Sequence, residues 1–221
     1  MIKAEHNKAA RLIFDVYIDR LLKKNFSSFF LVNECPVINN NNSLIVTPNH
    51  FSWWDGFFID LVNRKVFRRK IHIMMLEHQL KRYWFFRYLG AYSVRPENAK
   101  SIIETAAYSR DISDIPGTLN VIYPQGEIES YEKRPLSFKS GLRFFLRGIT
   151  ENSAVAPVLF RIKYGEDMKP SVYCWFGELV SPKDVIGNYA CYLKSIEYGL
   201  DQLNTLSERK TSMTDLFRNE L

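Results

Sequence analysis

The chain has 221 residues, 46% hydrophobic and 24% charged, a globular composition with enough chain for one sizeable core. A formal net charge of +6 and a pI near 9.1 suit an acidic partner, whether anionic lipid, nucleotide, phosphorylated substrate or nucleic acid, and equally suit plain solubility. No run approaches the ~20 apolar residues that span a bilayer, no signal-peptide pattern opens the chain, and three scattered cysteines (Cys35, Cys174, Cys191) argue against a disulfide framework or a zinc site.

Residues 4–24 read as a helix. Arg11, Asp15, Asp19 and Lys23 recur every four residues and make one narrow polar stripe. Ile13, Phe14, Val16, Tyr17, Ile18, Leu21 and Leu22 fill the rest, a face wide enough to require burial, against the domain or in a bilayer. Lys23-Lys24 would favour anionic headgroups, with Phe26–Val32 continuing the contact. Asn39–Ser43 is a polar turn.

Leu44–Thr47 is a short apolar run ending at Pro48, a buried strand. A helical stretch begins at Asp55-Gly56. Further strands are expected at Ile71–Leu76, Ala91–Val94, Leu119–Tyr123, Ala154–Phe160 and Ser171–Phe176. Helices are expected over Gln79–Tyr88, stopped by Gly90, near Glu97–Ser109, over Lys139–Arg147, closed by Gly148, and over Ala190–Leu206, with a shorter one in the tail. Strands alternating with helices predict a single α/β domain with a mostly parallel central sheet flanked by helices. In such sheets reactive groups lie just beyond the strand ends. Basic clusters such as Arg68-Arg69-Lys70 and Lys81-Arg82 are interleaved with aromatics, as in Tyr83-Trp84-Phe85-Phe86. That mixture suits a phospholipid interface or stacked single-stranded nucleic acid, but no nucleic-acid-binding motif accompanies it.

The first chemical candidate follows the first apolar strand: Asn49-His50-Phe51-Ser52-Trp53-Trp54-Asp55. Asp55 can cap the next helix. It can equally fold back onto one nitrogen of His50, fixing the tautomer and leaving the other nitrogen as a base. The spacing leaves both readings open. His72 and His78 lie outside this block, His72 as a satisfied strand histidine.

Together with three later segments, this block resembles the glycerolipid acyltransferases, the PlsC-like family. Asn49 to Asp55 matches their N-H-x-x-x-x-D block. Gly90-Ala91-Tyr92-Ser93-Val94-Arg95 is similar to their second, Tyr123-Pro124-Gln125-Gly126-Glu127-Ile128-Glu129 to their F-P-E-G-T-R-S, and Val155-Ala156-Pro157-Val158 to their fourth. Phe138-Lys139-Ser140-Gly141 also resembles their F-K-x-G. The resemblance implies direct acyl transfer from acyl-CoA or acyl-carrier protein to a lipid hydroxyl, most simply that of a lysophospholipid such as 1-acylglycerol-3-phosphate. His50 would be the base and Asp55 its support. Arg95, Tyr123, Gln125, Gly126, Glu127, Lys139 and Pro157 would bind substrate or shape the site. No metal or cofactor is implied, and no nucleic acid. The expected setting is peripheral, on an anionic membrane surface at its cytoplasmic side. Residues 1–35 would be the amphipathic, membrane-contacting segment and 36–221 the acyltransferase domain.

The third block departs from the family. Gln125 stands for its glutamate, Glu127 for its threonine and Ile128 for its arginine. An isoleucine cannot pair with phosphate, and Glu127 and Glu129 would repel it. These departures favour a non-glycerophosphate acceptor: an amino-acid lipid, a glycolipid or a pigment hydroxyl. A non-catalytic lipid- or nucleic-acid-binding module is the alternative of another class.

Overall fold

The computed structural model describes residues 1–39, 41–209 and 213–218, so Asn40 of the polar turn lies outside the described residues. Eight strands form one sheet: β1 (Phe29–Leu31), β2 (Ser43–Thr47), β3 (Lys70–Leu76), β4 (Ala91–Val94), β5 (Thr118–Val121), β6 (Ser153–Lys163), β7 (Ser171–Phe176) and β8 (Thr214–Asp215). Their order is β4-β3-β5-β2-β6-β7-β1-β8. The pairs from β4 to β6 and the pair β1–β7 are parallel; β6–β7 and β1–β8 are antiparallel. This is the mostly parallel α/β sheet expected from the alternation of elements.

β2 lies inside the sheet, and all five of its residues are buried. That is why it reads as an unbroken apolar run. Its side chains alternate between two cores. Leu44 and Val46 join Ile18, Leu22, Phe58 and Phe160 on the side of α1 (Lys8–Asn25) and α2 (Asp55–Val62). Ile45 faces Leu146, Leu159, Ile196 and Leu203, beneath α5 (Gly141–Leu146) and α7 (Tyr189–Glu208). Two further helices border β4 in the chain, α3 (Glu77–Arg82) and α4 (Ala99–Ser113), and α6 (Pro182–Gly187) precedes α7.

Several boundaries move for local reasons. The first helix starts at Lys8 because the Asn7 side chain caps it, accepting from Ala10 N–H at 3.0 Å. The residues before it lie along β4, with Ser93 N–H donating to the Ile2 carbonyl at 2.9 Å. The helix expected over Gln79–Tyr88 divides at Tyr83 into α3 and a 3-10 turn, Trp84–Leu89, before Gly90 turns the chain at φ 106°. Lys139 is drawn out of α5 when its N–H bonds the Pro124 carbonyl at 2.9 Å. α6, capped by Ser181 and opened by Pro182, has no counterpart among the expected elements. Where a short tail helix is expected, the described residues instead place strand β8 beside β1; residues 210–212 and 219–221 of that tail lie outside the described residues. Phe26, Phe29 and Leu31 are buried in the core, which corrects the expected bilayer contact of Phe26–Val32.

The stripe on α1 faces inward. Arg11 donates to both oxygens of Asp60 at 2.7 and 2.6 Å and pairs with Asp15, while Arg64 bridges Asp19 and Asp60. Charges from α2 and the turn after it therefore hold the polar side of α1 against the domain. Its apolar residues split. Ile18 and Leu22 enter the core, whereas Leu12 (68% exposed), Ile13 (72%), Val16 and Tyr17 point to solvent.

α4 packs through small polar residues at four-residue spacing, Ser101, Thr105, Ser109 and Ser113, all buried. Asn120 on β5 joins the last two of them to β4. Its amide donates to Ser109 Oγ at 2.8 Å and Ser113 Oγ at 3.0 Å, and its oxygen accepts from Tyr92 O–H at 2.8 Å. The network is buried and its members are hydrogen-bonded, so removing its centre strands several polar atoms. Asn120→Leu is expected to lower stability by about 1–3 kcal/mol, read from the urea midpoint at unchanged m-value.

Candidate active site

β2 ends at Thr47, whose hydroxyl shares a 2.6 Å hydrogen bond with Tyr192 O–H on α7. β6 continues beyond it, and Asn49 extends the pairing with its side chain. Asn49 Nδ2 donates to the Phe160 carbonyl at 2.9 Å, and its Oδ1 accepts from Phe160 N–H at 2.8 Å. This anchors the loop carrying His50.

Asp55 folds back rather than capping α2. Its Oδ2 accepts from Phe51 N–H at 2.8 Å and Ser52 N–H at 2.9 Å, and lies 2.8 Å from His50 Nδ1. The geometry therefore settles the alternative left open by the spacing. Asp55 has 0% exposure, and its second oxygen has no hydrogen-bond partner. Burial pushes its carboxyl above the usual range, opposed by hydrogen bonds from His50 and from the Ser52 and Phe51 amides. With Nδ1 held by the carboxylate, Nε2 is the nitrogen His50 can offer to a substrate.

His50 lines a cavity of about 580 Å³ that is walled mainly by apolar side chains. The cavity lies beyond the C-terminal ends of β2, β3 and β5, as the crevice of a parallel sheet does. Met74, Leu76, Phe57 and Phe86 form part of its wall, and Phe14 and Arg11 from α1 reach it too.

Of the residues expected at the site, His50, Tyr123, Gly126 and Glu127 line this cavity. Tyr123 lies against His50 with ring centroids 4.4 Å apart, and its buried hydroxyl has no partner. Gly126 adopts φ 72°, with Lys139 Cγ 3.2 Å from where a Cβ would stand, so any other residue would be strained there. Lys139 Nζ pairs with Glu127 Oε1 at 2.7 Å. Gln125 lies behind His50, bonded to its backbone on both sides. Arg95 sits past β4 in an ion pair with Glu77 at 3.5 Å, away from the cavity wall. Pro157, opposite Thr47, packs on Gly177. His78 does line the cavity, although no motif marks it. His72 is buried with Nδ1 unpartnered, which corrects its expected satisfaction; burial, then His6 and Lys70, push its imidazole down to about 3. Most of the apolar wall belongs to no motif either; only the aromatic run Tyr83–Phe86 hinted at it. Among the described residues, no three of His, Cys, Asp or Glu are arranged to hold a metal ion.

The structure thus joins a His–Asp pair, its aspartate fully buried, to the mouth of an apolar cavity on a mostly parallel α/β sheet. The acyltransferase family model matches residues 30–161, and the chain belongs to that family. It is an acyltransferase. The fold is similar to the crystal structure of the 1-acyl-sn-glycerophosphate (LPA) acyltransferase PlsC from Thermotoga maritima, with a TM-score of 0.60 and 21% identity, covering 93% of this chain and 84% of that one. No curated protein is a match.

The strained environment of Asp55 gives a prediction of opposite signs. A carboxyl raised in the folded state binds protons there more readily than in the unfolded chain, where it titrates near 3.8. Its ionised form therefore costs stability at neutral pH, and stability is regained as pH falls through the raised value. Asp55→Asn is expected to melt no lower than the parent at pH 7 while losing about 10²-fold or more in kcat. Calorimetry and initial rates on the same preparation check both.

Proposed function

We propose that this acyltransferase works at a membrane surface, moving a fatty acyl group from acyl-CoA or acyl-carrier protein to a lipid hydroxyl, in the simplest case that of a lysophospholipid such as 1-acylglycerol-3-phosphate. The observation that carries the reading is the His50–Asp55 pair, 2.8 Å apart, opening onto the apolar cavity. His50 Nε2 takes the acceptor's hydroxyl proton as the oxygen attacks the thioester carbonyl. Asp55 holds Nδ1–H and stabilises the imidazolium. The tetrahedral intermediate then collapses, the carbon–sulfur bond breaks, and the thiolate leaves with the proton from His50. The acyl group passes directly to the new ester oxygen, so the reaction calls for no metal and no resident cofactor. The cavity's size and apolar wall suit an acyl chain.

His50→Ala is expected to cut acyl transfer by about 10²–10⁴-fold with an unchanged circular dichroism spectrum. Full activity in that folded variant would overturn the mechanism. Labelled acyl donor incubated with a whole-lipid extract names the acceptor from the product's mass. A second reading keeps this chemistry but uses a non-glycerophosphate acceptor. It is favoured by Ile128 at the place of the family's arginine and by the Glu127–Lys139 pair, which already neutralises the nearby cation.

The surface setting is supported by α1. Among the described residues no helix is long and apolar enough to cross a membrane. The inward-facing ion pairs nonetheless leave Leu12, Ile13, Val16 and Tyr17 outward, on the helix whose Phe14 and Arg11 line the cavity. Exposed Trp53 and Trp84 add aromatic anchors, and Lys23-Lys24 end the helix with positive charge. We place this face on the cytoplasmic leaflet. Replacing Ile13 and Val16 together by Glu is expected to weaken binding to anionic vesicles by about tenfold or more without lowering the melting temperature, because neither side chain is buried. Vesicle sedimentation at fixed salt measures it; unchanged binding would remove α1 from the contact.

A further inference from the structure

Gln125 has 1% exposure, and all three of its hydrogen bonds converge on one place. Its Oε1 accepts from His50 N–H at 2.6 Å. Its Nε2 donates to the His50 carbonyl at 3.3 Å and to Glu129 Oε2 at 3.0 Å. Glu129 returns to the same carbonyl through its own backbone N–H at 2.9 Å. Its carboxylate is held by Ser137 N–H at 3.0 Å and by Lys133. Burial works against that charge, but Lys133, Ser137 and Gln125 outweigh it and draw the carboxyl down to about 2.

We propose that Gln125 and Glu129 are positioning residues that act as one unit, clamping both backbone groups of His50, and that they form an exchanged pair relative to the Glu and Ser of the family's block. The proposal rests on His50 being the base, as argued above. Opposite Glu129, an amide serves where a carboxylate does not. Gripping an N–H and a C=O of one residue takes an acceptor and a donor on the same side chain. A glutamate at 125 would accept from His50 N–H but would turn its second oxygen toward the His50 carbonyl and the Glu129 carboxylate. Two hydrogen bonds would become two repulsions. The residue types of the family's block satisfy the same link in the opposite sense, since a serine hydroxyl can donate to a glutamate. Changing Gln125 alone breaks the link; changing both restores a donor opposite the carboxylate. The clamp also fixes the acceptor side, because Gly126, Glu127 and Ile128, the residues between its two ends, face the cavity.

The test is a double-mutant cycle on the full chain: Gln125→Glu, Glu129→Ser and both together. It is read by release of free thiol from palmitoyl-CoA in the presence of the whole-lipid extract. Gln125→Glu is expected to lower kcat by about 10²-fold with KM within about threefold, the signature of a displaced base rather than a lost substrate contact. The double variant is expected to recover most of that loss. If Gln125→Glu fails to fold, the double variant should fold and turn over. A Gln125→Glu enzyme with parental kcat, or a double variant no better than the single, overturns the proposal. A second readout is independent of turnover: the rate at which diethyl pyrocarbonate labels His50, followed by mass spectrometry. It should change in Gln125→Glu and return in the double variant, and an unchanged rate also overturns the clamp. A parent enzyme that releases no thiol would instead refute the acyl-transfer reading, while the labelling series still decides the clamp.

Discussion

One carboxylate with no exposure to water organises this site. Asp55 Oδ2 takes hydrogen bonds from two successive backbone amides and lies within hydrogen-bond distance of an imidazole nitrogen, which bends the segment between β2 and α2 into a single shape. Those bonds offset a desolvation cost that would otherwise protonate or expel the group. Other elements then depend on the bend. Asn49 can reach β6, Gln125 can grip His50 from the β5 side, and Tyr123 can lie against the imidazole only while the loop holds this course. The second oxygen of Asp55, buried without a hydrogen-bond partner, is what the arrangement costs in stability if His50 is the base proposed above.

The same logic of buried charge places α1. A helix with one narrow polar stripe ordinarily turns that stripe to water. Here Asp60 and Arg64 meet it with complementary charges, and bidentate geometry makes the contact specific. The cost of burying these groups is met by pairing every one of them, and the consequence is an apolar face left outward. α1 therefore does two jobs from two sides: it closes part of the cavity with Phe14 and Arg11, and it carries the surface on which the proposed bilayer contact rests.

Sequence patterns conveyed these features unevenly. Strands β2, β3, β4 and β7 were legible almost to the residue, because strands of a covered sheet read as short apolar runs bounded by proline, glycine or charge. His50 and Asp55 were legible as a pair through the order of the surrounding blocks, while the direction of the Asp55 carboxylate was not, since five-residue spacing fits a cap and a fold-back equally well. Periodicity showed the α1 stripe but carries no sign. Whether a stripe faces water or protein depends on partners such as Asp60, far along the chain. Much of the cavity wall was hidden for a similar reason: outside the motif blocks it is assembled from α1, β3 and the segment after it, none of which bears a motif. The roles of Gln125 and Glu129 were hidden because each looks like a defect alone and makes sense only as a bonded pair.

That pairing bears on the acceptor. Once Gln125 and Glu129 are spoken for by His50 and each other, the side chains of the third block still facing the cavity are Tyr123, Glu127 and Ile128. Glu127 is matched by Lys139, so the turn presents roughly neutral charge and one branched apolar side chain. A phosphate arriving there would have to displace a carboxylate from the lysine. A hydroxyl on an uncharged or self-compensated headgroup meets no such competition. On the proposed reading, the base keeps the family's plan while the wall that would greet the acceptor's charge does not, and the departures in the third block divide a kept reaction from an altered recognition surface.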